Sequence, residues 1–153
     1  MTSVDLRWLE IERARYENLL DSLTGLPRWG LLLDRTAVAI ARAARSGSEV
    51  AVFVIDEPRF PDRIYDVRAV VQVLQDRLRP DDTLAVIGER RFAVLCNDIH
   101  ADEDAAHVAR RLIYDSGLVC SGLGVALSAE HERPEQVIGR ALLAAFPHST
   151  TLD

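Results

Sequence analysis

Two short apolar runs, Thr83-Leu84-Ala85-Val86-Ile87 and Ala93-Val94-Leu95-Cys96, flank Gly88-Glu89-Arg90-Arg91-Phe92. No other stretch restricts the fold as much. Runs rich in apolar and β-branched residues, joined by a glycine and polar residues, predict a β-hairpin. Upstream lies Val50-Ala51-Val52-Phe53-Val54-Ile55, a continuous apolar run that ends at Asp56. Such a run reads as a central strand buried on both faces.

Helical patterns surround these strands. Residues 5–22 are helical in composition, with Leu6, Leu9, Tyr16, Leu20 and Leu23 as the main apolar positions. Leu9, Tyr16 and Leu23 are seven apart, as are Leu6, Arg13 and Leu20, a partial heptad pattern interrupted by Arg13. It fits either the last turns of a coiled-coil stalk or a helix lying across the domain. Thr24, Gly25 and Pro27 break it, and a second helix is expected over 28–45 with Trp29, Leu32, Leu33, Thr36, Ile40 and Ala43 as its core face. A third is expected from Val67, Val70, Val71, Leu74 and Leu78, stopped by Pro80. Asp102 is the expected cap of a fourth, which carries Ala105, Ala109, Leu112 and Ile113 and closes at Ser116-Gly117. A strand over 118–127 follows, with Gly122 and Gly124 marking a bulge or a close backbone approach. Pro134 opens a last helix through about Phe146. This order predicts an α+β domain, a mostly antiparallel sheet with helices packed against it.

Composition narrows the function. A chain of 153 residues fits one domain, and a net charge of −6 argues against a nucleic-acid or anionic-membrane surface. No apolar run approaches the ~20 residues of a membrane span, and the N-terminus lacks a signal-peptide pattern, so a cytoplasmic setting is expected. Cys96 and Cys120 are isolated in apolar runs and read as small buried thiols. The histidines, His100, His107, His131 and His148, have no ligand spacing, and no metal or cofactor is expected. All 18 basic residues are arginine, so no lysine is available for a phosphate or as a base.

Several of these stretches resemble the GGDEF family, the diguanylate cyclases, in order and at nearly the right spacing. Asp21-Ser22-Leu23-Thr24-Gly25-Leu26-Pro27 resembles the family's D-x-L-T-G-L-x linker, and the strand ending in Asp56 resembles the one that carries its first metal-binding carboxylate. Phe60 matches the Phe of D-x-D-x-F, Gly88 and Phe92 match the ends of the signature, and Leu123-Gly124-Val125-Ala126 resembles S-I-G-V-A. The similarity spans residues 17–146. It implies a nucleotidyl-cyclase palm-like fold behind an N-terminal helical stalk. The expected divisions are 1–22 for the stalk or linker, 23–148 for the domain and 149–153 for a tail.

The family condenses two GTP molecules into cyclic di-GMP, which requires divalent metal held by hard carboxylate oxygens. The signature reads Gly88, Glu89, Arg90, Arg91, Phe92, so its acidic third position is a cation that would repel the metal. Glu89 stands where a glycine lets the backbone approach phosphate. Pro58 replaces the second aspartate of D-x-D-x-F, the guanine-reading residues have no counterpart, and Phe146 replaces a phosphate-binding lysine. The resemblance therefore implies a degenerate, catalytically inactive signalling domain with no catalytic residues. Asp56 reads as a strand-end carboxylate that accepts from the next loop or pairs with Arg90 or Arg91, in preference to a metal ligand.

One nucleotide site is retained in outline. Arg79-Pro80-Asp81-Asp82 is an R-x-x-D tetrapeptide at the offset of the family's inhibitory cyclic di-GMP site, and Arg110 or Arg111 matches a further family arginine. Arg79 can clamp a phosphate or the Hoogsteen edge of guanine, and Asp82 can accept from guanine N–H groups. The competing reading is a helix-terminal cation followed by turn residues. The expected partners are thus another protein or a second copy through the N-terminal helix, with cyclic di-GMP as the alternative ligand. A residual diguanylate cyclase is the least favoured reading.

Overall fold

The computed structural model describes residues 19–146, and the expected stalk falls almost wholly outside them. The described chain begins with a tightly bonded turn. Asp21 Oδ2 accepts from the Thr24 amide at 2.9 Å and its hydroxyl at 2.7 Å, and Gly25 takes the left-handed conformation at φ 73° that closes the loop. The Pro27 carbonyl then accepts from Val86 N–H at 2.9 Å, which fastens this turn to the edge of the sheet.

Helix α1, Trp29–Ser46, buries Leu32, Thr36, Ala39, Ile40 and Ala43 along one stripe and ends at Gly47, φ 75°. Trp29, expected in the core, is 40% exposed because it occupies the first helical position, beyond the sheet's cover. Strand β1, Glu49–Asp56, is buried from its second residue to its last. Helix α2, Val67–Asp76, is capped by Asp66, which accepts from Arg68 and Ala69 N–H. It stops at Asp76, short of Pro80, so Leu78 packs on the core from outside the helix.

The hairpin pairs β2, Thr83–Gly88, with β3, Arg91–Ile99, across a turn of only Glu89 and Arg90. Helix α3, Asp102–Ala109, is capped differently from the sequence expectation. Ala101 is the cap position, and it is Asp104 that reaches back to accept from His100 and Ala101 N–H at 3.0 and 3.2 Å. A π-helical turn, Arg110–Tyr114, continues α3. Strand β4 is confined to Gly122–Leu127, since Val119 forms an isolated bridge with Arg59 instead of joining it. Helix α4, Pro134–Ala145, completes the described chain, with proline in its first turn.

The strand order is β2-β3-β1-β4, every pair antiparallel. Alternation along β1 sends Ala51, Phe53 and Ile55 into a core shared with α2 and α3, while Val50, Val52 and Val54 meet α1 and α4. Central β1 therefore has no solvent face, as its uninterrupted apolar sequence requires. Gly122 and Gly124 mark a close approach rather than a bulge. A Cβ at Gly124 would lie 2.0 Å from the Ala141 carbonyl oxygen, so α4 rests directly on the β4 backbone. No helix among the described residues is long and apolar enough to cross a membrane.

Candidate functional site

The C-terminal end of β1 meets the hairpin tip, because the register sets Asp56 opposite Arg91 on one side and Gly122 on the other. Asp56 is 9% exposed, and Arg91 Nε lies 3.3 Å from its Oδ1. The same guanidinium stacks over Phe146, 4.4 Å from the ring centroid. Arg90 diverges from it: at φ 53° it turns out of the strand and stacks over Tyr65 at 4.2 Å. The Glu57 N–H donates to the Arg90 carbonyl at 2.7 Å, latching the loop after β1 to the hairpin. Burial pushes the Tyr65 hydroxyl up from its ordinary value, an effect that the Arg90 cation partly offsets.

These groups do not fit a divalent cation. The strand-end carboxylate faces a guanidinium, the adjoining signature positions are cations, and no cluster of acidic, histidine or cysteine side chains among the described residues has a metal-binding arrangement. Glu89 is exposed and lines a recess of about 350 Å³ with Asp21, Arg28 and Trp29, away from Asp56.

The second candidate lies at the opposite end of β2. Asp82 Oδ2 accepts from the Arg79 backbone N–H at 3.0 Å and faces its Nε at 3.5 Å, while Arg79 Nη2 donates to the Asn97 carbonyl at 2.7 Å. The Asp82 side chain is 1% exposed, and its carboxylate lies close to the Cys96 thiol. Behind it, burial and then the neighbouring Asp82 carboxylate push the Cys96 thiol up to about 12, so this cysteine is an inert neutral group.

Arg79 and Arg111 line one cavity of about 280 Å³ with Asp98, Ile99, Asp104, His107 and Val108. Arg110 is exposed and outside that lining. The π-helical turn admits an extra residue into the helix and so decides which of the two adjacent arginines faces inward. Arg111 Nε donates to the Arg77 carbonyl at 2.9 Å, and its buried Nη2 has no hydrogen-bond partner. Reading the sequence missed three contributors: Asn97, whose carbonyl holds Arg79, and Tyr65 and Phe146 as stacking platforms. Only the proximity of Tyr65 to an arginine-bearing tip could have signalled any of them, and it is a tertiary contact.

No protein-family model matches the chain. In an alignment that covers 82% of its length, it is 28% identical to the diguanylate cyclase TpbB of Pseudomonas aeruginosa, of which it spans 34%. The solved GGDEF domain of TpbB superposes with a TM-score of 0.70 at 26% identity, covering 86% of this chain and 89% of that one. The chain carries a GGDEF-like domain. Two further solved structures share the GGDEF-like fold. Pseudomonas aeruginosa SiaD, in complex with its activator SiaC, has a TM-score of 0.71 at 21% identity and covers 97% of this chain and 66% of that one. Caulobacter crescentus DgcB, whose coiled coil and GGDEF domain were solved with c-di-GMP, has a TM-score of 0.70 at 20% identity over 97% and 90%. The chain spans about a third of the length of its curated relative TpbB.

Proposed function

We propose that this GGDEF-like domain is a catalytically inactive, cytoplasmic module of cyclic di-GMP signalling that works by binding another protein or a second copy of itself. The observation that carries this reading is the closed mouth of the former substrate pocket. Arg91 pairs with Asp56 and stacks on Phe146, so a cation occupies the neighbourhood in which the family's chemistry places a divalent metal and triphosphate. Condensing two GTP molecules needs metal to neutralise phosphate and activate a hydroxyl, and this arrangement offers neither. Incubation of the purified chain with GTP and Mg²⁺ is expected to yield no cyclic di-GMP; any product overturns the proposal. Light scattering on a chain starting near Leu23, compared with the full chain, tests whether residues 1–22 hold a dimer.

A second reading, a cyclic di-GMP receptor, is favoured by one specific observation: Arg79 and Arg111 share a cavity, and Arg111 Nη2 is buried there without a hydrogen-bond partner. Two guanidinium groups suit the phosphates or guanine edges of such a ligand. Isothermal titration with cyclic di-GMP separates the two readings. Heat that disappears in Arg79→Ala establishes the receptor, and no heat at micromolar ligand removes it.

A further inference from the structure

β4 is the outermost strand of the sheet, with β1 on one side and no described strand on the other. Its register decides which peptide groups are already paired. Ser128 N–H donates to the Val50 carbonyl at 2.8 Å, so Val52↔Ala126 and Val54↔Gly124 are likewise the pairs whose peptide groups face each other. The alternate residues Leu123, Val125 and Leu127 direct N–H and C=O outward. Arg140 Nη2 occupies the Leu127 carbonyl at 2.6 Å and is itself ion-paired to Glu132. Among the described residues, nothing occupies the outward groups of Leu123 and Val125.

Exposed sheet edges are ordinarily guarded by charges, proline or a bulge. Gly122–Leu127 contains no charged residue and no proline, and it pairs with β1 without a register shift. Its flanks are apolar as well. On one face Val125 is 37% exposed beside partly buried Leu123. On the other, α4 lies directly on Gly122 and Gly124, and Leu143, 57% exposed, follows Arg140 by one turn on the same helix stripe. Arg140 guards only the Leu127 end.

We propose that the outer edge of β4 is a self-association surface, onto which a second copy of this chain adds its own β4 antiparallel about a twofold axis. Setting Leu123 of one copy opposite Val125 of the other gives two main-chain hydrogen bonds per facing pair and leaves Arg140 on Leu127. The same register packs the partly buried Leu123 and exposed Val125 of each copy against those of its mate and puts the two α4 helices, each with its exposed Leu143, on the same face of the joined sheet. An uncharged strand places no like charges opposite themselves, which is what pairing with an identical partner demands. A charged foreign strand would gain the main-chain bonds without the apolar contacts.

Amide hydrogen exchange on the full chain, at dilute and concentrated protein, tests this interface and leaves any association through residues 1–22 out of the readout. The Leu123 and Val125 amides are expected to slow by about tenfold or more as concentration rises. Val125→Arg returns Leu123 to its dilute rate, and Leu143→Arg, on a different element, does the same if the first variant fails to fold. Exchange at both amides that is independent of concentration, or slowing that survives Leu143→Arg, overturns the proposal.

Discussion

Asp56 is almost entirely removed from water, so the group that faces it decides whether its charge is tolerable. Arg91 supplies that group from the neighbouring strand, while its own side chain is 38% exposed and its guanidinium rests on Phe146. Removing the cation strands a buried carboxylate, whereas removing the carboxylate leaves a cation that can turn to solvent. Arg91→Met is therefore expected to destabilise the fold by about 1–3 kcal/mol and Asp56→Asn by less than about 1 kcal/mol. Urea unfolding midpoints at constant m-value measure both, and equal losses for the two variants would contradict this assignment. From the sequence, Arg90 and Arg91 were equivalent partners for Asp56. What separates them is the two-residue turn, which puts Arg91 in register with Asp56 and sends Arg90 out at φ 53°. Register follows from how three strands align, so neither residue's own chemistry could disclose it.

Helix α4 and strand β4 are held together by an approach that only glycine permits. A Cβ at Gly124 meets the Ala141 carbonyl at 2.0 Å, while one at Gly139, inside α4, meets nothing within 4 Å. Gly124→Ala is expected to cost about 3 kcal/mol or more by forcing the helix off the strand, and Gly139→Ala to stabilise by about 0.5–1 kcal/mol through backbone entropy. Thermal unfolding of the pair gives shifts of opposite sign. The same element carries a pH-sensitive tie. Arg140 bridges Glu132 and the Leu127 carbonyl, and its hydrogen bond holds the Glu132 carboxyl below the ordinary 4.5. A depressed folded value means that this stabilisation is complete above about pH 4.5 and is lost as pH falls through the folded value. Glu132→Gln should flatten that part of the acid-unfolding curve, and an unchanged curve would remove the tie from the argument. Element order and the buried central strand were legible because they follow from local pattern, while Gly122 and Gly124 were legible only as a bulge or a close approach, which the packing of α4 decides. The ends of α2 and β4 were not. Leu78 and Val119 are apolar enough to extend the patterns, but tertiary packing and the Arg59 bridge take them elsewhere.

At the scale of the whole molecule, the positions at which the proposed loss of metal, guanine and phosphate contacts would fall sit on separate elements of a GGDEF-like frame: the end of β1, the loop before α2, the hairpin tip and the end of α4. On that proposal the losses should be separable. Arg90→Asp combined with Arg91→Glu puts two carboxylates on the hairpin tip, the one at position 91 in register with Asp56, and Asp tolerates the left-handed φ at position 90 better than arginine does. Without metal the double variant faces Asp56 with like charge and should be less stable than the parent. Mg²⁺ should raise its unfolding midpoint by mass action, about 2.7 kcal/mol at a hundredfold excess over the dissociation constant, and leave the parent unmoved. On the proposed inactivity, product from GTP should still be absent, because Phe146 stands where the resemblance implies a phosphate-binding lysine and Glu89 where it implies a glycine. A parent chain already stabilised by Mg²⁺ would show that Arg91 yields Asp56 to metal, and the closed mouth would then be a resting state rather than a loss. Cyclic di-GMP formed by the double variant would place the whole defect in the hairpin tip.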